Sequence, residues 1–298
     1  SMKEYIKQLP VVGKVATKGY RAGYAFITRR KHELSERYCL QELSRLTHSK
    51  ANLIYQALQA LSEPLPQQEQ KLLDRIEEER TRLLSMTGLL VNSVDSSDET
   101  WDVDVTIKQA TEASKRPKAA MLMYSLIRTI KPLNVIELGT NVGISSAYIA
   151  TALHVNNQNG RVTTFEGSPH RLALAKEVHQ ALNINNINYV QGYFSDTLDH
   201  ALKECGSVDF AFIDGHHQYA PTMDYFNKIL ACSQDDTVFV FDDIRWSEGM
   251  IKAWSELLED KRINLAVDLN SMGLCVASQG ATGKPYRIGP MYRPLQDR

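Results

Sequence analysis

The sequence has no apolar run near the roughly 18 residues that a membrane-spanning helix requires, and its start carries neither the basic n-region nor the apolar h-region of a signal peptide. No membrane span is expected, and a cytoplasmic location is. Cysteine is scarce: Cys39, Cys205, Cys232 and Cys275 lie far apart and form no CxxC or Cys/His metal spacing. That excludes a disulfide framework and a cysteine-held zinc, and leaves ordinary packing in a reducing compartment as their expected role. Internal repeats and low-complexity tracts are also missing, as is the G-x-G-x-x-G of dinucleotide sites. A net charge of -1 hides an asymmetry, because residues 1–50 hold eleven Lys/Arg against four Glu, a local excess of +7. A solvated helical face accounts for this excess. The alternative is a surface for phosphate or anionic lipid, although no recognised nucleic-acid motif accompanies it.

What is present fits a globular protein of 298 residues, 43% hydrophobic and 23% charged, with room for one large α/β domain and a smaller accessory region. Apolar residues recur at helical spacing over 31–61 (Leu34, Tyr38, Leu43, Leu46, Ile54, Ala57, Leu61), which predicts one or two amphipathic helices. Pro64 and Pro66 stop that run, and a second helix is predicted over 67–86. Turn formers and acids over 92–104 read as a linker, and a third helix is predicted over 118–130. Everything before residue 105 is thus expected to be helix or loop. From Asn134 the rhythm changes to short β-branched runs at 134–138, 161–166, 188–191, 208–213, 237–241, 265–268 and 274–277. The first five alternate with helices, as right-handed βαβ units do. The last two leave no room for a crossover helix between them and predict an antiparallel pair. The expected fold is a Rossmann-like, doubly wound α/β sheet, mostly parallel with a terminal antiparallel hairpin. It divides into a helical region with linker (1–105), a catalytic domain (106–280) and a tail (281–298).

The first strand runs into Glu137-Leu138-Gly139-Thr140-Asn141-Val142-Gly143-Ile144-Ser145. Open parallel sheets bind ligands beyond the carboxyl ends of their strands, where glycines admit close approach and the next helix offers free N–H groups. The spacing is E-x-G-x-x-x-G, and an acid just before the first glycine suits a cationic amino acid and sulfonium better than a pyrophosphate. The second strand ends in Glu166-Gly167-Ser168, with the acid 29 residues after Glu137. A carboxylate there accepts hydrogen bonds from vicinal ribose hydroxyls; the alternative is an exposed strand-end acid. Tyr193 and Phe194 come after the third strand, placed either to border an adenine or to join the core.

These motifs, ELGTNVGISS, TTFEGSP, VDFAFIDGHHQY and VFVFDDIRWSEGM, resemble in order and spacing the class I S-adenosylmethionine-dependent methyltransferases. The nearest branch is that of the catechol and caffeoyl-CoA O-methyltransferases, together with uncharacterised bacterial relatives, and the resemblance covers roughly residues 118–278. It implies that Glu137 and the loop from Gly139 through Thr140 and Asn141 to Gly143 hold the methionine part of S-adenosylmethionine. Ser145 would reach its carboxylate, Glu166 with Gly167 and Ser168 would take the ribose, and Tyr193 and Phe194 would border the adenine. Asp214 would adjoin the donor and, with Asp242 and Asp243, hold a divalent cation such as Mg²⁺. The branch has an Asp-Asn pair where this chain has Asp242-Asp243, and the alternative is that Asp243 caps the helix carrying Trp246 and Trp254. His217 stands where the branch carries a catalytic lysine, with Asp214 beside it, and would accept the proton of an acceptor hydroxyl. The alternative for His216 and His217 is a hydrogen-bonded loop pair. Trp246 is expected as a pocket wall or lid.

The function expected is methyl transfer to a small hydroxylated molecule, with a homodimer as a further expectation. Two other readings stay open: methylation of RNA or protein docked on the basic N-terminal region, and a cofactor-binding module without catalysis.

Overall fold

The computed structural model describes residues 37–90, 104–157, 159–233, 236–281 and 285–289. The most basic part of the chain (1–36), nearly all of the expected linker (91–103) and most of the tail (282–284 and 290–298) lie outside the described residues, and so do the expectations placed on them.

The helical periodicity of 31–61 resolves into two pieces. Residues 37–44 are helical, the chain turns through 45–48, and α1 runs Ser49–Ala60. After Pro64 and Pro66, α2 runs Gln67–Leu84, and its inward face is Leu73, Ile76, Arg80 and Leu83. Next come two short strands that the sequence reading missed, β1 (Leu89–Leu90) and β2 (Val105–Thr106), paired antiparallel. The expectation of only helix and loop before residue 105 is therefore corrected at Leu89 and Leu90. Two residues per strand are too few to show an alternating pattern. The unpredicted helix α3 (Ile107–Glu112) opens on a capping box in which Thr106 and Gln109 satisfy each other's backbone N–H groups. The helix α4 (Pro117–Ile130) starts on a proline, whose fixed φ and missing N–H suit a first helical position.

The sheet then assembles from β3 (Asn134–Leu138), β4 (Arg161–Glu166), β5 (Ile187–Gln191), β6 (Phe210–Ile213), β7 (Thr237–Phe241), β8 (Ile263–Asp268), β9 (Gly273–Ala277) and β10 (Tyr286–Ile288). Its order is β10-β8-β9-β7-β6-β3-β4-β5. β3 pairs parallel with β4 and β6, and β6 pairs parallel with β7. β9 runs antiparallel to both β7 and β8, as the missing crossover required. β10 adds a parallel edge strand beside β8 that the sequence did not announce. Between the strands lie α5 (Ile144–Asn156), α6 (Pro169–Ala181), α7 (Phe194–Cys205), α8 (Tyr219–Ala231) and α9 (Glu248–Glu259). No helix among the described residues is long and apolar enough to cross a membrane.

Strand alternation divides the buried residues between the two faces. Val135, Val162, Phe210, Phe212, Val238 and Val240 belong to one core, shared with α4, α5 and the N-terminal helices. Ile136, Leu138, Phe165, Ala211, Ile213, Phe239 and Phe241 belong to the other, shared with α7, α8 and α9. Polar contacts join the N-terminal helices to the same body. Ser125 Oγ donates to the carbonyl of Ala57 at 2.6 Å, Tyr148 Oη donates to Glu77 at 2.7 Å, and Arg128 Nη2 donates to Glu69 at 2.8 Å. The Arg128 guanidinium holds the Glu69 carboxyl below its ordinary range.

Ile76 is 1% exposed and faces this shared core. Ile76→Ala should cost about 2–5 kcal/mol, the range for emptying a buried aliphatic site. Chemical denaturation followed by far-UV circular dichroism should show one shifted transition. A second transition, with the sheet domain unfolding as in the parent chain, would show that α2 folds separately.

Candidate active site

The parallel register of β4, β3, β6 and β7 brings their carboxyl ends to one edge, and the residues singled out by the sequence reading meet there. Glu137 is wholly buried. Its Oε2 accepts hydrogen bonds from Ser146 Oγ and, at 2.6 Å, from Thr164 Oγ1, while its Oε1 has no hydrogen-bond partner among the described residues. Burial pushes its pKa up to about 7, against the opposing effect of the Ser145, Ser146 and Thr164 hydroxyls. A buried acceptor without a partner is a standing demand for a donor.

The turn after β3 is specific about geometry. Gly139 has φ +108°, and a Cβ there would lie 2.3 Å from the carbonyl oxygen of Asp214, so only glycine fits. The N–H groups of Gly139 and Thr140 donate to the carbonyl of Phe165 at 3.1 and 3.0 Å. Thr140 turns its hydroxyl inward, 2.6 Å from that of Thr164, so its side chain is part of the support beneath the turn. Asn141 adopts φ +48° and donates from Nδ2 to the carbonyl of Ala110 at 2.7 Å, tying the turn to α3. Gly143, at φ +86°, precedes α5, and its carbonyl lies 2.8 Å from Nε2 of His179. Burial lowers the pKa of His179 to about 4, so the ring is neutral at physiological pH and Nε2–H is the donor that an accepting carbonyl requires. Nothing in the local sequence pointed to His179, which lies 36 residues from the loop it braces.

Glu166 accepts from the backbone N–H of Asn141 on Oε2 at 2.8 Å and from that of Ser168 on Oε1 at 2.9 Å. Two amides thus orient the carboxylate, and each oxygen retains a lone pair for a further donor. Burial raises its pKa against those amides. Ser168 serves as N-cap of α6, and the half-buried Tyr193 ring lies beside Gly167, 3.8 Å from where a Cβ would stand. Phe194 is drawn inward, with ring centroids 6.3, 5.5 and 5.6 Å from Phe165, His216 and Tyr225. Its place is in the aromatic core, with Tyr193 left at the surface of the cleft. Ser145 is buried in the first turn of α5, close to Glu137.

The acids at the ends of β6 and β7 fall into two groups that share Asp214. Asp214 and Asp242 both turn to Lys115, whose Nζ lies 3.0 Å from Asp214 Oδ1 and also contacts Asp242 Oδ2. Asp243 joins Asp214 in the second group, in which ligand-type atoms of Asp214, His217 and Asp243 lie within 4.8 Å of one another. His217 Nε2 is 3.9 Å from Asp214 Oδ1 and 3.9 Å from Asp243 Oδ2. Asp243 does not cap a helix: Ser247 caps α9, accepting from the N–H of Met250 at 3.1 Å, and Trp246 lies outside that helix. His216 has the bland role, 2.6 Å from Tyr225 Oη through Nδ1. Trp246 is 67% exposed, and its ring centroid lies 6.2 Å from that of His217, so it forms an open wall beside the imidazole. Lys115 was missed because it lies in a polar loop outside every motif, 99 residues from Asp214.

Residues 136–244 match the model of a family described as a methyltransferase domain. The strand order and the motifs on this segment are likewise those of the class I S-adenosylmethionine-dependent methyltransferases. Among curated proteins, a catechol O-methyltransferase of Niastella koreensis is 30% identical over 133 residues, which is 44% of this chain and 58% of that protein. The chain thus spans little more than half the length of that relative. Among solved structures, the O-methyltransferase of Bacillus cereus in complex with SAH superposes with a TM-score of 0.52 at 19% identity, over 73% of this chain and 93% of the other. An SAH-bound methyltransferase of Podospora anserina gives 0.53 at 16%, over 78% and 97%. At those identities the likeness confirms the Rossmann-like fold.

Glu137 generates a pH dependence whose sign is fixed. Folding raises this carboxyl from 4.5 to about 7. The stability that its protonated form contributes is complete below about pH 4.5 and is lost as pH rises through about 7, an effect of about 3 kcal/mol. Thermal unfolding of the ligand-free chain should therefore shift downward between pH 5.5 and pH 8. Glu137→Gln should remove that part of the shift, and an unchanged pH profile in the variant would refute the assignment.

Proposed function

We propose that the chain transfers the methyl group of S-adenosylmethionine to a hydroxyl oxygen of a small molecule. The observation that carries the reading is the convergence of Glu137, Glu166 and Asp214 on one glycine turn, with Glu137 Oε1 buried and outside hydrogen-bonding geometry with any described residue. In this reading Glu137 receives the donor's methionine end, and its ionised form answers the ammonium and sulfonium charges. Glu166, already aimed by two amides, takes the ribose hydroxyls, and Tyr193 borders the adenine. The free N–H groups at the start of α5, with Ser145 in its first turn, suit the methionine carboxylate. The acceptor enters beside Trp246, whose exposed ring favours a flat, aromatic molecule. Its oxygen attacks the methyl carbon in line with the carbon–sulfur bond, the bond electrons return to sulfur, and the hydroxyl proton passes to His217.

A divalent cation shared by Asp214, Asp242 and Asp243, as the family resemblance implied, does not fit this arrangement, because the Lys115 ammonium lies between the first two. No step here depends on a metal. Docking of RNA or protein on the basic N-terminal region (1–50) rests mostly on residues 1–36, which lie outside the described residues.

Calorimetry with S-adenosylhomocysteine tests the donor site. Binding is expected, and Glu166→Gln should weaken it about tenfold, or ~1.4 kcal/mol. With labelled S-adenosylmethionine and a set of phenolic and catecholic acceptors, His217→Gln should lower kcat about 100-fold while leaving the S-adenosylhomocysteine affinity unchanged. Absence of binding by the parent chain would end the proposal. Full turnover by His217→Gln would remove the imidazole from the mechanism.

A further inference from the structure

A cation already stands in the acidic end of this cleft. Lys115 lies in the turn between α3 and α4, and three features aim it inward. Asn141 of the glycine turn donates to the carbonyl of Ala110 at 2.7 Å and to Ser114 Oγ at 3.3 Å, fastening the backbone just before it. The capping box of Thr106 and Gln109 fixes the start of α3. Pro117 at the first position of α4 fixes the chain direction two residues later. The Lys115 side chain is only 12% exposed, beside Asp214 at 15% and Asp242 at 5%. No regular hydrogen bond reaches Asp242 Oδ2, so the ammonium is what offsets that buried charge. An ammonium has three donors and no acceptor, so it satisfies carboxylates but cannot ligate a metal.

We propose that Lys115 is the built-in cation of this centre: its ammonium fills the place between Asp214 and Asp242 and keeps divalent metals out. The proposal rests on the methyltransferase reading for the meaning of the cleft, but not for the charge arrangement itself. A metal using Asp214 and Asp242 would have to share the space of an ammonium, with like charges only a few ångströms apart. The mixed set of Asp214, His217 and Asp243 offers no escape. It depends on the Asp214 carboxylate, which Lys115 already engages at 3.0 Å. Lys115 is accordingly a positioning residue. It holds the carboxylates at the ends of β6 and β7 in fixed orientation, and its remaining donor suits an acceptor oxygen that gains negative charge as its proton leaves.

The test is a titration of the full chain with Mn²⁺, reading free Mn²⁺ by electron paramagnetic resonance, with S-adenosylhomocysteine affinity measured by calorimetry on the same samples. The parent chain should show no saturable Mn²⁺ binding. Lys115→Met should gain a site at least about tenfold tighter, as removal of one nearby positive charge requires. Lys115→Arg, which keeps the charge, should stay without one. Adding Asp214→Asn to Lys115→Met should abolish the gained site. Saturable binding by the parent chain, lost in His217→Ala, would overturn the proposal in favour of a metal on Asp214, His217 and Asp243. So would a Lys115→Met chain that melts as a folded protein and gains no Mn²⁺ site. If Lys115→Met does not fold, the parent titration still decides. Failure of the parent to bind S-adenosylhomocysteine would sink the donor reading and leave the Mn²⁺ result standing.

Discussion

The cleft depends on the position of β3 between β4 and β6. Pairing on both sides in parallel register places Leu138 opposite Phe165 and Ile213, so three strands end level with one another. The loops that leave these strand ends are then forced together. The turn at Gly139 approaches the Asp214 carbonyl so closely that no side chain fits between them. Glu137, one residue before the end of β3, is enclosed by hydroxyls from α5 and β4. Any shift of β3 would therefore disturb the support of Glu137 and the position of Asp214 at once. These two features are coupled through backbone contacts, which yield less readily than side-chain packing.

The N-terminal helices extend this control to the other side of the cleft. α1 lies on α4 and α2 on α5, and the polar pairs Ser125–Ala57, Tyr148–Glu77 and Arg128–Glu69 fix their seating. α4 and α5 are the helices that flank the glycine turn in the chain. The helical region thus bears on the elements that carry Lys115 and the first turn of α5. Its contribution to the site runs through those helices, since none of its described side chains reaches the acids directly.

Much of this was legible in the sequence. Buried strands of a parallel sheet are near-continuous apolar runs, so TVFVF and FAFI announced themselves, and the absence of a crossover between β8 and β9 fixed their antiparallel sense. Glu137, Glu166 and Asp214 were recognisable because each ends such a run. The short β1 and β2 were not, because two residues carry no period, nor was β10, a three-residue edge strand. Phe194 was ambiguous on sequence, since an aromatic side chain after a strand serves a cleft or a core equally well; in the structure its ring packs among three others. Lys115 and His179 were invisible for another reason. Both act on partners distant in sequence, and only the closed fold brings a loop lysine or a helix histidine to them.

The way each acid is compensated explains why five carboxylates can share one cleft edge. Glu137, beyond the reach of solvent, has its pKa raised by burial to about 7, against hydroxyl donors that favour the ionised form. Two backbone amides balance Glu166. Asp214 and Asp242 divide one ammonium, and Asp243, the most open of the set with 36% of its side chain exposed, is left largely to water and to His217. The two acids nearest the glycine turn take their hydrogen bonds from neutral donors, with the Arg171 charge also favouring ionised Glu166. Neither carboxyl takes part in a salt bridge among the described residues, whereas at the opposite end one ammonium, that of Lys115, stands against the carboxylates of Asp214 and Asp242. In the proposed reading, the charged end of the sulfonium donor lies against Glu137 and Glu166 at β3 and β4, and the acceptor enters at the β6 and β7 ends, where Lys115 and His217 stand.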